Sequence, residues 1–241
     1  MKRVFDFSVS LIGLILSSPV LIPVAFLVWM QDFKSPFYIP TRIGKDKEEF
    51  KMIKLRSMIV NADTSGVDST GKNDIRITKI GNVIRKFKLD ELSQLWNVLK
   101  GDMSLVGPRP NVKKETDLYT DLENKLLSVK PGITDISSIV FSDEGDILAD
   151  KLDPDIAYNQ LIRPWKSRLG LIYIENKSLK LDIQLIFLTA VAIFSKERAL
   201  TKIAKILIRL DVEEEVIEIS KRKKNLYPYP PPGTDIIVES R

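Results

Sequence analysis

The chain contains no cysteine and no histidine. The first absence excludes a thiol nucleophile and a disulfide, and it fits a reducing compartment. The second excludes an imidazole base, and together they exclude any Cys/His zinc site. Catalysis here must run on carboxylates, lysine, arginine, tyrosine and hydroxyls. A metal would have to be held by oxygen ligands, which favours Mg²⁺. Zinc-finger, basic-zipper and RNP patterns are also missing, so nucleic acid is a poor partner for a net charge of +5. An anionic membrane or a phosphorylated substrate fits that charge better.

What the sequence does have begins with a long apolar run. No charge falls between Phe7 and Gln31, 25 residues bounded by Asp6 and Asp32. A bilayer crossing needs ~20 residues. No small-residue cleavage site follows, so the segment is expected to be retained. Pro19 and Pro23 lie in its middle, and a bend is expected at Ser18-Pro19, where Ser18 could re-satisfy a carbonyl freed by the proline. Lys2 and Arg3 flank one end, and Lys34, Arg42, Lys45 and Lys47 the other. A straight span would put these basic flanks on opposite faces, whereas a re-entrant helix–break–helix keeps both on the cytoplasmic side. The re-entrant form is favoured, with arms of ~12 residues and ~18 Å. A bent helix in a soluble core is the third reading.

After residue 33, Ser35–Ile39 reads as a short strand, Arg42–Asp46 as a turn, and Phe50–Met58 as a second strand. Phe50 and Met52, and with a slip Ile53 and Leu55, face the core. Lys54 and Arg56 are then free to face an anion, and Lys51 reads as solvated edge. Asn61–Asn73 reads as a polar loop. A basic amphipathic segment from Asp74 leads into Ile84–Pro110, around which the chain is organised. Here Arg85, Lys86 and Lys88 precede adjacent carboxylates, Asp90 and Glu91. A helix follows in which Leu89, Leu92, Trp96 and Leu99 recur at helical spacing and are expected to form the buried face. Asp90 and Glu91 fall in its first turn, ~100° apart, so that one face cannot bury both. Gly101 is a natural C-terminal cap, Asp102 a turn residue, and Pro108-Arg109-Pro110 a rigid cation.

These residues resemble the bacterial sugar transferases, the monotopic phosphoglycosyl transferases. The resemblance rests on Arg76-Ile77-Thr78, Gly81–Arg85, Leu89-Asp90-Glu91-Leu92 with Gln94-Leu95, Asn97–Leu99, Gly101–Ser104 and Val106–Pro110. It extends to Lys2-Arg3, Ser18-Pro19, Arg42-Ile43-Gly44, Lys54-x-Arg56-Ser57-Met58 and Lys130–Thr134, and covers roughly residues 1–190. It implies a re-entrant membrane helix and a cytosolic α/β domain, mostly helical with a small sheet, lying on the inner membrane. The implied reaction moves a sugar 1-phosphate from a UDP-sugar to polyprenyl phosphate, with Mg²⁺ required and UMP released. By the same match Asp90 is the nucleophile that forms a phosphosugar–aspartyl intermediate, Glu91 its partner, and Arg85 and Arg109 bind phosphate. Lys54 and Arg56 are further phosphate-binding candidates, and Asp90 and Glu91 are candidate Mg²⁺ ligands. The chain departs from the family's common pattern at Asp135–Glu144 and at Pro40-Thr41, so sugar specificity does not carry over. A non-catalytic, membrane-anchored scaffold of a glycan assembly complex is the alternative.

Leu179–Leu210 is expected to be helical. Ile183–Phe194 is too short to span and reads as buried or interfacial. Ser195–Leu210 alternates cations with Ile and Leu, as a membrane-surface helix or a core-packed one would. The expected organisation is a membrane helix over 1–33, a catalytic domain over 34–210, and a Pro-rich tail over 211–241. That tail reads as flexible, with a homodimer or partner contact as the other reading.

Overall fold

The structure, a computed structural model, describes residues 1–65 and 74–239. It opens with helix α1 (Lys2–Met30), followed by four short strands, β1 (Phe37–Tyr38), β2 (Thr41–Ile43), β3 (Glu49–Lys51) and β4 (Lys54–Leu55). Helices α2 (Lys79–Lys86), α3 (Leu89–Leu92) and α4 (Leu95–Lys100) lead to β5 (Ser104–Val106), α5 (Lys113–Thr116) and a 3₁₀ turn (Glu123–Ser128). Strand β6 (Gly132–Thr134) is followed by α6 (Ile136–Val140), α7 (Glu144–Leu148), α8 (Pro154–Leu161) and α9 (Arg163–Asn176). The chain then forms α10 (Leu179–Phe194), α11 (Lys196–Arg209) and α12 (Glu214–Ser220). The fold is thus mostly helical with small sheets. Of the polar loop expected over 61–73, Ala62–Ser65 form a 3₁₀ turn, and 66–73 lie outside the described residues.

Arg42-Ile43, expected as a turn, is strand: β2 pairs antiparallel with β3, Arg42 opposite Phe50. The expected strand over 50–58 is interrupted at Met52-Ile53, and β4 resumes against β1, Phe37 opposite Leu55. That interruption is the slip that lets Met52 and Leu55 both be buried. Strands β5 and β6 run parallel, Ser104 beside Gly132. Beyond Val106 their backbones come too close for a side chain: a Cβ on Gly132 would lie 2.1 Å from the Gly107 nitrogen. The main core gathers around Trp165, Ile136, Ile139, Leu169, Leu185 and Ile203, all at most 1% exposed.

Helix α1 is one helix rather than two arms, with Pro19 and Pro23 inside it. Pro19 has no N–H for the Ile15 carbonyl, and the Ser18 hydroxyl donates to that carbonyl instead, at 2.8 Å. Both ends of α1 are pinned to the same body. At the N-terminus Lys2 pairs with buried Asp182, Arg3 donates to the last carbonyls of α4, Val98 and Leu99, and buried Asp6 accepts from Ser104. At the other end Val28 packs on Leu55 and Ile84, and Arg56 grips Asp32 at 2.5 and 2.6 Å. That grip holds the Asp32 carboxyl at about 2, below its ordinary 3.8. The outer face, from Phe7 through Ile15 and Leu16 to Phe26 and Trp29, is exposed and apolar.

In the C-terminal third, α10 buries Leu181, Leu185 and Leu188 and exposes Ile183, Phe187 and Phe194, an interfacial distribution. Helix α11 is core-packed: Ala199, Leu200, Ile203, Ala204, Ile206 and Leu207 are buried. The expectation of a flexible tail is corrected. Helix α12 buries Val216, Ile217 and Ile219, and the prolines beyond it strap over α8 and α9. Tyr229 lies against Trp165 with ring centroids 4.3 Å apart, its amide donates to the Gln160 carbonyl, and Arg168 donates to the Pro230 carbonyl while stacking on Tyr229. Thr120 holds the Pro232 carbonyl at 2.5 Å. Aromatic residues every second position along an extended chain found an aromatic partner, which composition alone does not reveal. Removal of residues 226–239 should therefore cost stability, ~3 kcal/mol from the uncovered aromatics, and lower the thermal midpoint by several degrees. An unchanged midpoint would mean that the strap does not hold in solution.

Candidate active site

The site forms where α2, α3, β4 and the segment after β5 meet. Helix α2 starts at Thr78, whose hydroxyl accepts from the Gly81 amide. Gly81 lies directly on the backbone after β4, where a Cβ would sit 1.8 Å from the Ser57 carbonyl oxygen. One turn later this approach sets Arg85 against Ser57, whose hydroxyl accepts from Nε at 3.1 Å. Helix α2 ends at Phe87, and Lys88 takes a left-handed conformation, φ 53°. For a non-glycine residue that costs of order 1 kcal/mol. The resulting turn starts α3, with Asp90 and Glu91 in its first turn, where helix-terminal N–H groups favour carboxylates.

The buried face of α3 and α4 is not the one its apolar spacing suggests. Trp96 is 52% exposed and Leu89, Leu92 and Leu99 are half-buried, whereas Asp90, Ser93, Gln94, Asn97 and Val98 are buried. The inward polar stripe serves the interrupted strand as a neighbouring strand would. Asn97 accepts from the Ile53 amide at 2.9 Å and donates to the Lys51 carbonyl at 2.7 Å. Ser93 accepts from the Leu55 amide at 3.1 Å and donates to the Ile53 carbonyl at 3.2 Å. Lys54 is thus clamped at the residues on either side of it, and its Nζ lies 3.2 Å from Asp90 Oδ2. Asp102, in the turn after α4, accepts from Asn97 at 3.1 Å, which fits its turn assignment.

Both carboxylates are nonetheless covered, their side chains 12% and 13% exposed. The expectation that one face cannot bury both holds only for a helix packed on one side, and here each carboxylate meets a different wall. Glu91 pairs with Arg109 Nη1 at 3.0 Å, and Arg109 also donates to the Ile133 carbonyl. The close contact of Gly107 with Gly132 fixes the backbone that carries Arg109, between Pro108 and Pro110. Glu91 above all, and Asp90 next, hold the Arg109 guanidinium above its ordinary range against the opposing effect of burial. Burial lowers that of Arg85, with Asp90 the leading charge opposing it.

Asp90, Glu91, Lys54, Arg85 and Arg109 therefore come together as the sequence suggests, three cations against two carboxylates, a net charge of +1 before a substrate arrives. Arg56 does not join them. Its guanidinium is occupied by Asp32 and the Val28 carbonyl, which makes it an anchor for α1 rather than a phosphate ligand. Ser57, Ser93 and Asn97 are site-building residues that sequence reasoning missed; for Ser93 and Asn97 the signal available was polar residues recurring at helical spacing beside the dyad. For Mg²⁺, Asp90 and Glu91 offer the hard oxygen donors it needs. No cluster of three or more His, Cys, Asp or Glu occurs among the described residues. Two carboxylates fit an ion that takes its remaining ligands from substrate phosphates and water.

The profile of the family described as bacterial sugar transferase matches residues 1–196. Over 192 residues, 78% of this chain and 39% of the other, the sequence is 38% identical to a UDP-glucose:undecaprenyl-phosphate glucose-1-phosphate transferase of Klebsiella pneumoniae. It is 33% identical over 194 residues, 78% and 42% of the two chains, to a UDP-N-acetylgalactosamine-undecaprenyl-phosphate N-acetylgalactosaminephosphotransferase of Aeromonas hydrophila. An exopolysaccharide production protein, ExoY, of Sinorhizobium fredii is 32% identical over 207 residues, 80% of this chain and 84% of that one. The chain thus spans about two-fifths of the length of the first two.

Proposed function

As the chain belongs to the bacterial sugar transferase family, we propose that it moves a sugar 1-phosphate from a UDP-sugar to undecaprenyl phosphate through a covalent intermediate on Asp90. The observation that carries this reading is the Asp90–Glu91 pair, each carboxylate set against its own cation, Lys54 and Arg109. In the first step an Asp90 carboxylate oxygen attacks the β-phosphorus. The bond from that phosphorus to the bridging oxygen breaks, and UMP leaves with the electron pair. In the second step a phosphate oxygen of the lipid attacks the same phosphorus and Asp90 is released as carboxylate. The lipid phosphate is already ionised at neutral pH, so no base is required, in keeping with a chain that has no histidine.

Arg85 and Arg109 neutralise the diphosphate from two sides, and Lys54 holds the Asp90 oxygen toward the phosphorus. Glu91 orients Arg109 and is available as a ligand. A bound Mg²⁺, held by Asp90 and Glu91, would supply the remaining charge neutralisation on the phosphates. The tying of α1 at both ends to one body supports a re-entrant placement even though α1 runs as one helix, with the domain and both basic flanks on one side, the cytoplasmic face of the bacterial inner membrane. The exposed apolar face of α1 then meets the lipid whose phosphate is the acceptor.

The test is UMP release by the purified full chain with Mg²⁺, undecaprenyl phosphate and a panel of UDP-sugars; if no UDP-sugar yields UMP, the reading fails. Arg109→Lys should lower kcat/KM by about 10²-fold, because a lysine keeps the charge but loses the planar fork. A drop of less than about threefold would remove Arg109 from the clamp.

A further inference from the structure

Behind Arg109 lies a pocket of about 50 Å³, several times what one water requires (~10–15 Å³). Its polar wall is a small network: Asn111 donates to the Tyr119 hydroxyl at 2.9 Å, and Tyr158 lines the same pocket. Burial raises both phenols, so they stay protonated and can donate. The three cations at the pocket are already matched: Arg109 pairs with Glu91. Arg163 pairs with buried Glu123 and lies over the Tyr119 ring; Lys166 pairs with Glu144 and lies over the Tyr158 ring. A site with its charges paired internally, hydroxyls and an amide on one wall and Leu126 on another, suits a neutral polar group with an apolar part, not an anion.

The position of the pocket says which group. Arg109 clamps the phosphate that is transferred, and that phosphate is bonded to the sugar's anomeric carbon, while the nucleoside lies one phosphate further away. We propose that this pocket is the subsite for the substituent on the sugar carbon next to the anomeric one, a hydroxyl or an acetamido group. Tyr119, Tyr158 and Asn111 are its specificity-determining residues. The inference rests on the functional reading above.

The experiment compares wild type with Tyr119→Phe and Tyr158→Phe, each lacking a single oxygen, using UDP-glucose, UDP-galactose, UDP-N-acetylglucosamine and UDP-N-acetylgalactosamine. UMP release gives kcat/KM for each, and UMP itself serves as inhibitor. At least one variant should change the ratio between the hexose and N-acetylhexosamine substrates by about tenfold, the loss of one hydrogen bond to substrate, with UMP inhibition unchanged. Ratios within twofold of wild type in both variants overturn the proposal while leaving the functional reading in place. So does a shift in UMP inhibition without a shift in the ratio, which would give the pocket to the nucleoside. Wild type that releases no UMP from any of the four sinks the functional reading first and this inference with it.

Discussion

Asp90→Asn should abolish turnover, by roughly 10³-fold or more, and leave the fold intact. Removal of a covalent nucleophile is among the most damaging single changes an active site can suffer, and asparagine keeps the size of aspartate while losing the charge and the oxygen that attacks. Lys54 would lose its partner, but its side chain is 23% exposed and can return to water, so the cost to folding is small. Ser93 and Asn97, which hold β4 against the helix, are untouched. Two measurements separate the chemistry from mere damage. UMP release should vanish, and so should incorporation of labelled sugar phosphate into the protein when undecaprenyl phosphate is withheld. Label retained by the Asp90→Asn variant would place the intermediate elsewhere; full turnover without label in wild type would mean direct transfer between substrates.

What could be read in advance follows from the kind of signal each residue carries. Asp90 and Glu91 were legible because adjacent carboxylates in a first turn, with arginines on both sides, describe an electrostatic arrangement that is local in sequence. Ser18 was legible for a similar reason, since the carbonyl a proline frees is always four residues back. Arg56 was not, because its partner Asp32 is 24 residues away and alternation along a strand places Lys54 and Arg56 alike. The inward face of α3 and α4 was misread because a buried polar stripe becomes favourable only when a strand with unpaired backbone groups lies opposite, and that strand is 40 residues distant at Ile53. The C-terminal strap escaped for a third reason: proline-rich composition predicts an extended chain, and only the position of Trp165 decides whether it docks.

Glu123→Gln should be the most destabilising conservative change in the domain, ~3–5 kcal/mol. The Glu123 side chain has no exposed surface and accepts four hydrogen bonds: Nε and Nη2 of Arg163 at 3.0 and 2.6 Å, the Ser167 hydroxyl at 2.6 Å and the Thr120 amide at 3.1 Å. Glutamine fills the same space but offers one acceptor oxygen and turns an NH₂ group toward donors that have nowhere else to go. Arg163, itself 4% exposed, becomes a buried cation without its counter-charge. Against a typical total stability of ~5–15 kcal/mol, the thermal midpoint should fall by roughly 6–20 °C, where Asp90→Asn should move it little. The same reasoning predicts partial recovery. Replacing both partners, Glu123→Gln with Arg163→Met, removes the stranded charge along with the acceptor, and apolar substitutes for buried ion pairs are often tolerated. Thr120 carries the effect outward, since it bonds Glu123 on one side and the Pro232 carbonyl of the strap on the other. Loss of Glu123 should therefore loosen residues 226–239 first, visible as early hydrogen exchange there. A midpoint within about 2 °C of wild type would mean that water, not Glu123, satisfies Arg163.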